Sequence, residues 1–317
     1  MTDFTGGPAQ LVLTASVARR YYVDGKSKIE IADEFNLSRF KVARLLENAR
    51  TSGLVRIEIG YPGLIDVELS GRLRDTFGLQ HAIVVDTPDD HGASMRRHLG
   101  TAAAELLSEI VTADDVLGVA WARSVSAMAA ALTRLPSIPV VQLTGALLSS
   151  AEGDDSSIEV VREVARTSGG PAYFFYAPFI VADATTARAL RRQPEVARAF
   201  QQLGSVTKAV LGIGLWAPDQ STVYDAVAPK ERRHQRRLGV CAEFSGVFVN
   251  ADGEPVATEL SERMIGVSAD QLRQIPEVLG IVYGTAKAPA ARAALRSGLI
   301  NALITHATLA RVLLAES

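Results

Sequence analysis

The sequence predicts a two-part protein, in which a small all-α domain precedes a larger α/β domain built on a mostly parallel sheet. Three observations carry this prediction. A helix-turn-helix pattern lies near the N-terminus, short apolar runs alternate with helical segments from about residue 81, and a Tyr-Pro-Gly break at 61–63 separates the two textures. We therefore expect one domain over residues 1–60 and a second over 61–317.

The stretch from Ser27 to Gly53 predicts two helices joined by a tight turn. Ser27 followed by Glu30 is a capping-box pattern that opens the first helix. Asn36 suits the turn, because asparagine tolerates the left-handed conformation. Ser38 is then the expected cap of the second helix, whose apolar residues recur at helical spacing, at Val42, Leu45, Leu46 and Ala49.

Two flanking segments complete this first domain. Residues 11–24 predict a supporting helix that ends at Gly25, and the alternating residues 54–59 predict a short strand. The N-terminal domain is thus expected to be a winged-helix-like helix-turn-helix module, whose second helix enters the DNA major groove.

Charge on the second helix indicates DNA binding. Arg39 and Lys41 lie in its first turn and Arg44 one turn later, although cations there oppose the helix dipole. The same cations suit phosphates and guanine edges. We expect contacts from Ser38, Arg39, Lys41 and Arg44, with Phe40 against a thymine methyl. A solvated basic face on an ordinary helical hairpin is the alternative.

Bulk composition places limits on the remaining functions. The net charge is −2, yet residues 11–60 hold nine Lys or Arg against six Asp or Glu, so a basic module precedes a mildly acidic one. Cys241 is the single cysteine, which predicts no disulfide and a reducing cytoplasm. No signal peptide and no apolar run of membrane-spanning length is present, so no membrane partner is expected.

The second domain predicts a strand-and-helix alternation with a largely parallel sheet. Its strand candidates are residues 82–85, 116–120, 140–143, 172–176, 209–213, 281–282 and 302–304. Its helix candidates are residues 66–77, 95–111, 124–135, 158–168, 184–203, 288–295 and 308–314. Such sheets bind ligands at the carboxyl ends of their strands.

Two of the strand-to-helix junctions carry groups that favour a phosphate. Arg123 and Ser124 follow one strand and open a helix, whose first N–H groups are free for an anion. Lys287 follows another strand, where Gly284 lets the backbone approach a ligand. A third junction, Gly212 to Gly214, offers only glycines. A surface charge at a helix end is the alternative for either cation.

Taken together, the chain resembles the SorC family of bacterial sugar-responsive transcriptional regulators over nearly its whole length. The resemblance implies a helix-turn-helix domain and a Rossmann-like effector domain similar to sugar-phosphate isomerases and deaminases. It also implies a phosphorylated sugar or polyol effector and a homodimer or homotetramer on double-stranded operator DNA. The segments that carry it, in order, are EIADEFNLSRFKVARLLENARTSGLVRIEI, LGVAWARSVSAMAAAL, VVQLTG, YAPFIV, VLGIG, EFSGVFVNADG, VYGTAKAPAARAALRSG and LINALITHATLARVLL.

The resemblance also implies site residues. Phosphate would be held by Arg123, Ser124 and Lys287, sugar hydroxyls by Glu243, and Gly212 and Gly214 would lie at the same site. Several positions depart from the family pattern, where glycines are replaced by side chains or an acidic pair is lost. Tyr283 is the largest change, and it could narrow the site, stack on a ring or abolish binding of the usual effector. The departures are Ala122, Ala242-Glu243, Val282-Tyr283 and His306-Ala307.

Two other functions stay open at this stage. An isomerase or deaminase would need an acid or base near the sugar carbonyl, and Glu243, Asp252 and His306 are candidates by position. A binding module with degenerate sensing, acting only through oligomer contacts, is the other alternative. The five histidines show no metal-ligand spacing, and we expect no metal, cofactor or catalytic residue.

Overall fold

The structure is a computed structural model that describes residues 7–55, 64–87, 92–147 and 157–315. The chain divides into two compact units, Met1–Gly60 and Tyr61–Ser317. Across the described ranges, none of the helices combines the length and the apolar character that a membrane crossing requires. The proposed break at 61–63 and most of the proposed strand at 54–59 lie outside the described residues.

Within residues 7–55, the first unit contains three helices, α1 (Pro8–Tyr22), α2 (Lys28–Glu34) and α3 (Arg39–Thr51). The capping box at the start of α2 is confirmed, since the Ser27 hydroxyl accepts the Glu30 N–H at 3.3 Å and Glu30 accepts the Ser27 N–H at 2.8 Å. Asn36 has a φ of 52°, as the turn between α2 and α3 requires. The shared core consists of Val17, Ala18, Ile31, Ala32, Val42, Leu45, Leu46 and Ala49.

The second unit is organised around a seven-stranded, all-parallel sheet within the described residues, with the strand order β1-β10-β9-β5-β2-β3-β4. All seven predicted strands belong to it. The strands are β1 (His81–Val85), β2 (Leu117–Val119), β3 (Val140–Gln142), β4 (Ala172–Tyr173), β5 (Lys208–Gly212), β9 (Glu277–Ile281) and β10 (Ala302–His306). β9 begins four residues earlier than predicted, since Gly280 separates Ile281 from the apolar pair Val278-Leu279 in the sequence. The strand starts at buried Glu277, which pairs with Lys208 at 2.8 Å.

Helices cover both faces of this sheet. One face packs on α4 (Val67–Phe77), α14 (Ala288–Arg296) and α15 (Ala307–Ala315). The other packs on α5 (Gly92–Ile110), α6 (Arg123–Ala131) and α7 (Ser157–Ser168). The three-layer α/β/α arrangement therefore matches the predicted fold class.

A second, antiparallel sheet was not predicted. It consists of β6 (Gly214–Leu215), β7 (Ala242–Phe244) and β8 (Val247–Val249), which are too short to show a strand period. The turn between β7 and β8 contains Ser245 at φ 56° and Gly246 at φ 85°. This sheet lies next to the carboxyl end of β5 in sequence, so it extends the edge where a ligand is expected.

Three helix predictions need correction. The single helix proposed for 184–203 is two helices, because Pro194 cannot continue a helix and instead starts the second one. The helix proposed for 124–135 ends at Ala131, where Leu132 turns extended. The helix proposed for 66–77 begins one residue later, at Val67, because Asp66 is its N-cap and accepts the Leu69 N–H. The helices not yet named are α8 (Ala184–Arg191), α9 (Pro194–Gln202), α10 (Thr222–Ala226), α11 (Pro229–Arg237), α12 (Glu259–Glu262) and α13 (Ala269–Gln274).

Candidate functional site

A cavity of about 380 Å³ opens at the carboxyl ends of β2, β5 and β9. This is the edge at which parallel sheets place their ligands. The six residues proposed from the sequence as effector contacts all line it, namely Arg123, Ser124, Gly212, Gly214, Glu243 and Lys287. Residues that are up to 164 positions apart in the chain thus share one wall, because the strand order brings their junctions together.

The cavity has a side that favours an anion. Helix α6 begins at Arg123, and its N-cap residue Ala122 has no side-chain oxygen that could cap the helix. Ser124 in the same turn is only 3% exposed. A helix N-terminus with a hydroxyl and a guanidinium in its first turn provides several donors for one oxyanion.

The two strand-end glycines permit close packing at this wall. A Cβ atom at Gly212 would lie 2.6 Å from the Cβ of Ala122, and one at Gly214 would lie 2.9 Å from the Cβ of Ser221. Neither separation is sterically possible without a shift. Their demonstrable role is therefore steric, since each lets a neighbouring loop approach the strand end.

Glu243 is buried, with 6% of its surface exposed, on the strand that faces this edge. Its two carboxylate oxygens accept hydrogen bonds at 3.0 Å from the Ser221 hydroxyl and from the Gly246 N–H. Burial raises the pKa of Glu243, although both donors and the nearby Lys287 charge act in the opposite direction. The carboxylate is thus held in a fixed orientation at the cavity wall.

Lys287 ends a short 3-10 turn (Thr285–Lys287) before α14. Burial lowers its pKa to about 8, Glu243 raises it in part, and Arg123 lowers it further. The loop that carries it is anchored where the Gly284 N–H donates to Nε2 of His306 at 3.0 Å. Gly284 has a φ of 88°, which a side chain would strain.

A polar loop contributes cavity residues that the sequence analysis missed. Asp219, Gln220 and Ser221 precede α10 and Thr222 is its first residue, and all four line the cavity. Ser221 also caps that helix by accepting the Tyr224 N–H at 3.2 Å. This loop follows β6 of the small antiparallel sheet and not a strand of the parallel sheet. The run of polar residues before an apolar helix start was the available signal.

The proposed acid–base candidates do not meet in this cavity. Glu243 lines it. Asp252 lies in an exposed turn, where its N–H donates to the side-chain oxygen of Asn250, and Nε2 of His306 accepts the Gly284 N–H. Asp252-Gly253 is thus part of a plain turn. Among the residues that the structure describes, no group of three or more metal-ligating side chains is present.

In the first unit, the start of α3 presents a basic surface. The Ser38 hydroxyl caps the helix by accepting the Lys41 N–H at 3.2 Å. Arg39, Lys41 and Arg44 are exposed, and none of them forms an ion pair within the described part of the chain. Phe40 beside them is 88% exposed, which is unusual for a large apolar side chain.

A helix-turn-helix unit with an exposed basic helix, followed by an α/β unit with a polar cavity, defines the class of ligand-controlled transcriptional regulators. Comparison with known proteins narrows the class. Residues 64–315 match the family model Sugar-bind, described as "Putative sugar-binding domain". The chain belongs to this family, within the SorC family of sugar-binding transcriptional regulators.

Named relatives agree with the assignment. The chain is 32% identical to the transcriptional regulator LsrR of Klebsiella pneumoniae over 97% of this chain and 94% of that protein. It is 30% identical to the uncharacterized transcriptional regulator YjhU of Escherichia coli, over 93% and 92% of the two chains. The full-length sorbitol operon regulator SorC of Klebsiella pneumoniae shares the fold, with a TM-score of 0.74 at 22% identity over 96% of this chain and 99% of that one.

These findings decide between a regulator and the isomerase or deaminase that the sequence left open. The chain is a DNA-binding transcriptional regulator with a sugar-binding domain, and it is not a sugar-phosphate enzyme.

Proposed function

We propose that the protein controls a carbohydrate or polyol catabolic operon in the cytoplasm by binding double-stranded operator DNA and a phosphorylated sugar or polyol. The observation that carries the proposal is the cavity wall, where Arg123, Lys287 and the start of α6 lie around the same space as Glu243. The two cations and the helix start suit a phosphate, and the Glu243 carboxylate suits hydroxyl groups.

The charges of the cavity support this division. The ammonium of Lys287, the guanidinium of Arg123 and the N–H groups at the start of α6 can each donate to phosphate oxygens. Glu243 has both oxygens already bonded to Ser221 and Gly246, and each oxygen retains a lone pair for a ligand hydroxyl. A phosphorylated polyhydroxy compound complements both sides at once.

The basic helix supports the DNA-binding part of the proposal. Ser38, Arg39, Lys41 and Arg44 would contact phosphates and base edges, and exposed Phe40 would contact a thymine methyl. Helix-turn-helix proteins read two half-sites as symmetric oligomers. A homodimer or homotetramer of this chain would therefore bind a roughly palindromic operator. The effector would act by binding one arrangement of the oligomer more tightly than another.

One experiment tests both parts. The purified full-length protein is used to select fragments of sheared genomic DNA at near-physiological salt, and the recovered DNA is sequenced, with and without added sugar phosphates. We expect a sharp peak over a palindrome whose recovery changes with one of the compounds. Uniform recovery under all conditions would refute sequence-specific regulation, since non-specific phosphate contacts alone give no peak.

A further inference from the structure

A second cavity, of about 360 Å³, lies on the other side of the turn between β7 and β8. It is bordered by that turn, by residues 255–257, by α12 and by the segment from Met264 to Asp270. Ser245 borders both this cavity and the first cavity, at the carboxyl ends of β2, β5 and β9. Arg123 and Lys287 border only that first cavity. The second cavity therefore has its own set of charged groups.

Arg191, the last residue of α8, reaches the wall of this cavity with an incompletely bonded guanidinium. One N–H, on Nη2, donates to the Met264 carbonyl at 2.6 Å, and the guanidinium lies 5.6 Å from the ring centroid of Phe200. The Nε atom is buried and has no hydrogen-bond partner. Within the part of the chain that the structure describes, Arg191 forms no ion pair with a carboxylate.

A partly buried cation without a counter-ion is energetically unfavourable. Burial lowers the pKa of Arg191, which reflects the loss of water around the charge. A guanidinium has five N–H donors, and one carbonyl oxygen with one ring face satisfies few of them. Burying an unpaired charge is strongly unfavourable, whereas an anion that binds with bidentate geometry offsets most of that penalty.

The rest of the wall limits the size and type of such an anion. Val247, Phe248, Val256 and Met264 supply an apolar surface. Ser261 adds a hydroxyl, and the buried Ser245 hydroxyl has no hydrogen-bond partner in the described structure. The carboxylates of Glu262 and Asp270 are on exposed residues at the edge of the cavity, where they disfavour a large polyanion.

We propose that this cavity is a second ligand site, which takes a small organic anion with one carboxylate or phosphate group held by Arg191 and an apolar body against Val247 and Met264. The site goes beyond the proposed sugar-phosphate response, because its cation and its apolar wall belong to other elements of the fold. Its occupant contacts the turn at Ser245, next to the Gly246 N–H that orients Glu243.

Two variants of the full-length protein separate the sites. Arg191→Met removes the charge and keeps the length of the side chain, and Lys287→Met removes the cation of the first cavity. Thermal unfolding is recorded in chloride buffer, and then with inorganic phosphate, pyruvate or butyrate at equal ionic strength. We expect Arg191→Met to unfold in chloride at the wild-type temperature or above it. We also expect at least one anion to stabilise the Lys287→Met protein and not the Arg191→Met protein.

Two results would overturn the proposal. If Arg191→Met unfolds several degrees below wild type in chloride, Arg191 is a structural tie to Met264 and Phe200 and awaits no anion. If none of the three anions stabilises Lys287→Met more than Arg191→Met, the cavity does not bind this class of ligand. Either result leaves the sugar-phosphate proposal intact, because that depends on the first cavity.

Discussion

The Nζ atom of Lys287 lies 5.1 Å from the centroid of the Tyr283 ring. Both residues line the first cavity, at the carboxyl ends of β2, β5 and β9. The Tyr283 side chain also packs against the apolar cluster on the face of the sheet that α5, α6 and α7 cover. The face of an aromatic ring attracts a cation, more strongly where water is excluded. The sequence left three roles open for Tyr283. This geometry favours a role outside those three, in which the ring holds the Lys287 ammonium in place.

Replacing Tyr283 should therefore weaken phosphate binding through Lys287. We expect Tyr283→Leu to lower the affinity for a sugar phosphate about three- to tenfold, as the loss of one cation–π contact implies. Tyr283→Phe keeps the ring face and should bind like wild type. Isothermal titration with the sugar phosphate that binds the wild-type protein most tightly measures both. Equal losses in the Leu and Phe variants would contradict a role for the ring face.

Effector affinity should fall as the pH rises through about 8. Burial lowers the pKa of Lys287 to about 8, so its ammonium loses the proton that makes it a phosphate ligand above that pH. A phosphate monoester has a second pKa of about 6, so its charge becomes more negative up to roughly pH 7.5 and is constant above that. A decline in affinity with rising pH therefore does not come from the ligand. Binding titrations with the sugar phosphate at intervals from roughly pH 6.5 to pH 9.5, a range that brackets the Lys287 pKa, should show the decline in affinity.

Lys287→Arg is the matched control for this pH dependence. An arginine side chain stays protonated throughout the range, so its affinity should be flat between neutral pH and pH 9 or so. A decline of equal size in the Arg variant would show that another group causes it.

Much of this site could be anticipated from the sequence because parallel sheets obey simple rules. The apolar runs at 116–120, 209–213 and 281–282 are each followed within three residues by a glycine or a charged residue, and parallel strands bring such carboxyl ends to one edge. The helix-turn-helix was equally accessible, because Ser27, Asn36 and Ser38 are local signals that act within a few residues.

The missed parts depend on contacts between distant residues. Strands of two or three residues, such as β6 and β7, have no detectable period, so the polar loop from Asp219 to Thr222 could not be placed at the cavity. Tyr283 was noticed as a large side chain, but its contact with Lys287 depends on how the loop is anchored at His306. Arg191 carried no sequence signal, because an unpaired charge is visible only once its surroundings are known.

Glu243→Gln should change stability in a pH-dependent way. Burial raises the pKa of Glu243 above its value in the unfolded chain, so the folded protein binds this proton more tightly. Stability from this group is therefore present at low pH and is lost as the pH rises above the unfolded value of about 4.3. The Gln variant does not lose stability in this way. The unfolding temperature of the variant, relative to that of the wild type, should therefore rise as the pH increases from roughly 4 to 7.

The same variant should respond less to hydroxyl-bearing ligands. An amide offers one acceptor oxygen where the carboxylate offers two, so binding of sugar phosphates should weaken relative to binding of inorganic phosphate. Comparing the two titrations separates hydroxyl recognition from phosphate recognition. An unchanged preference would show that Glu243 does not contact the sugar.

Asn36→Val should loosen the first unit. Asn36 has a φ of 52°, which a β-branched side chain tolerates poorly, and such strain costs about 1–3 kcal/mol. Asn36→Gly is the control, since glycine adopts this conformation freely and should retain stability. Hydrogen exchange of the α2 and α3 amides is the suitable measurement, because it reports on this unit alone. Slow exchange in the Val variant would show that the turn can be rebuilt with a negative φ.

Arg39→Ala should weaken operator binding without loss of stability. Arg39 lies in the first turn of α3, is exposed and makes no ion pair with a described residue, so its removal breaks no ion pair there and relieves an unfavourable dipole interaction. The matched control is Arg50→Ala, an exposed cation in the last turn of the same helix. If α3 enters the major groove by its N-terminal end, only the Arg39 variant loses affinity.

A base contact would cost about 1–3 kcal/mol and relax the sequence preference, whereas a phosphate contact would lower the slope of affinity against salt by about 0.9. Binding titrations at several salt concentrations therefore reveal which contact Arg39 makes, and equal losses in the Arg39 and Arg50 variants would indicate that α3 lies along the DNA surface and does not insert its N-terminal end.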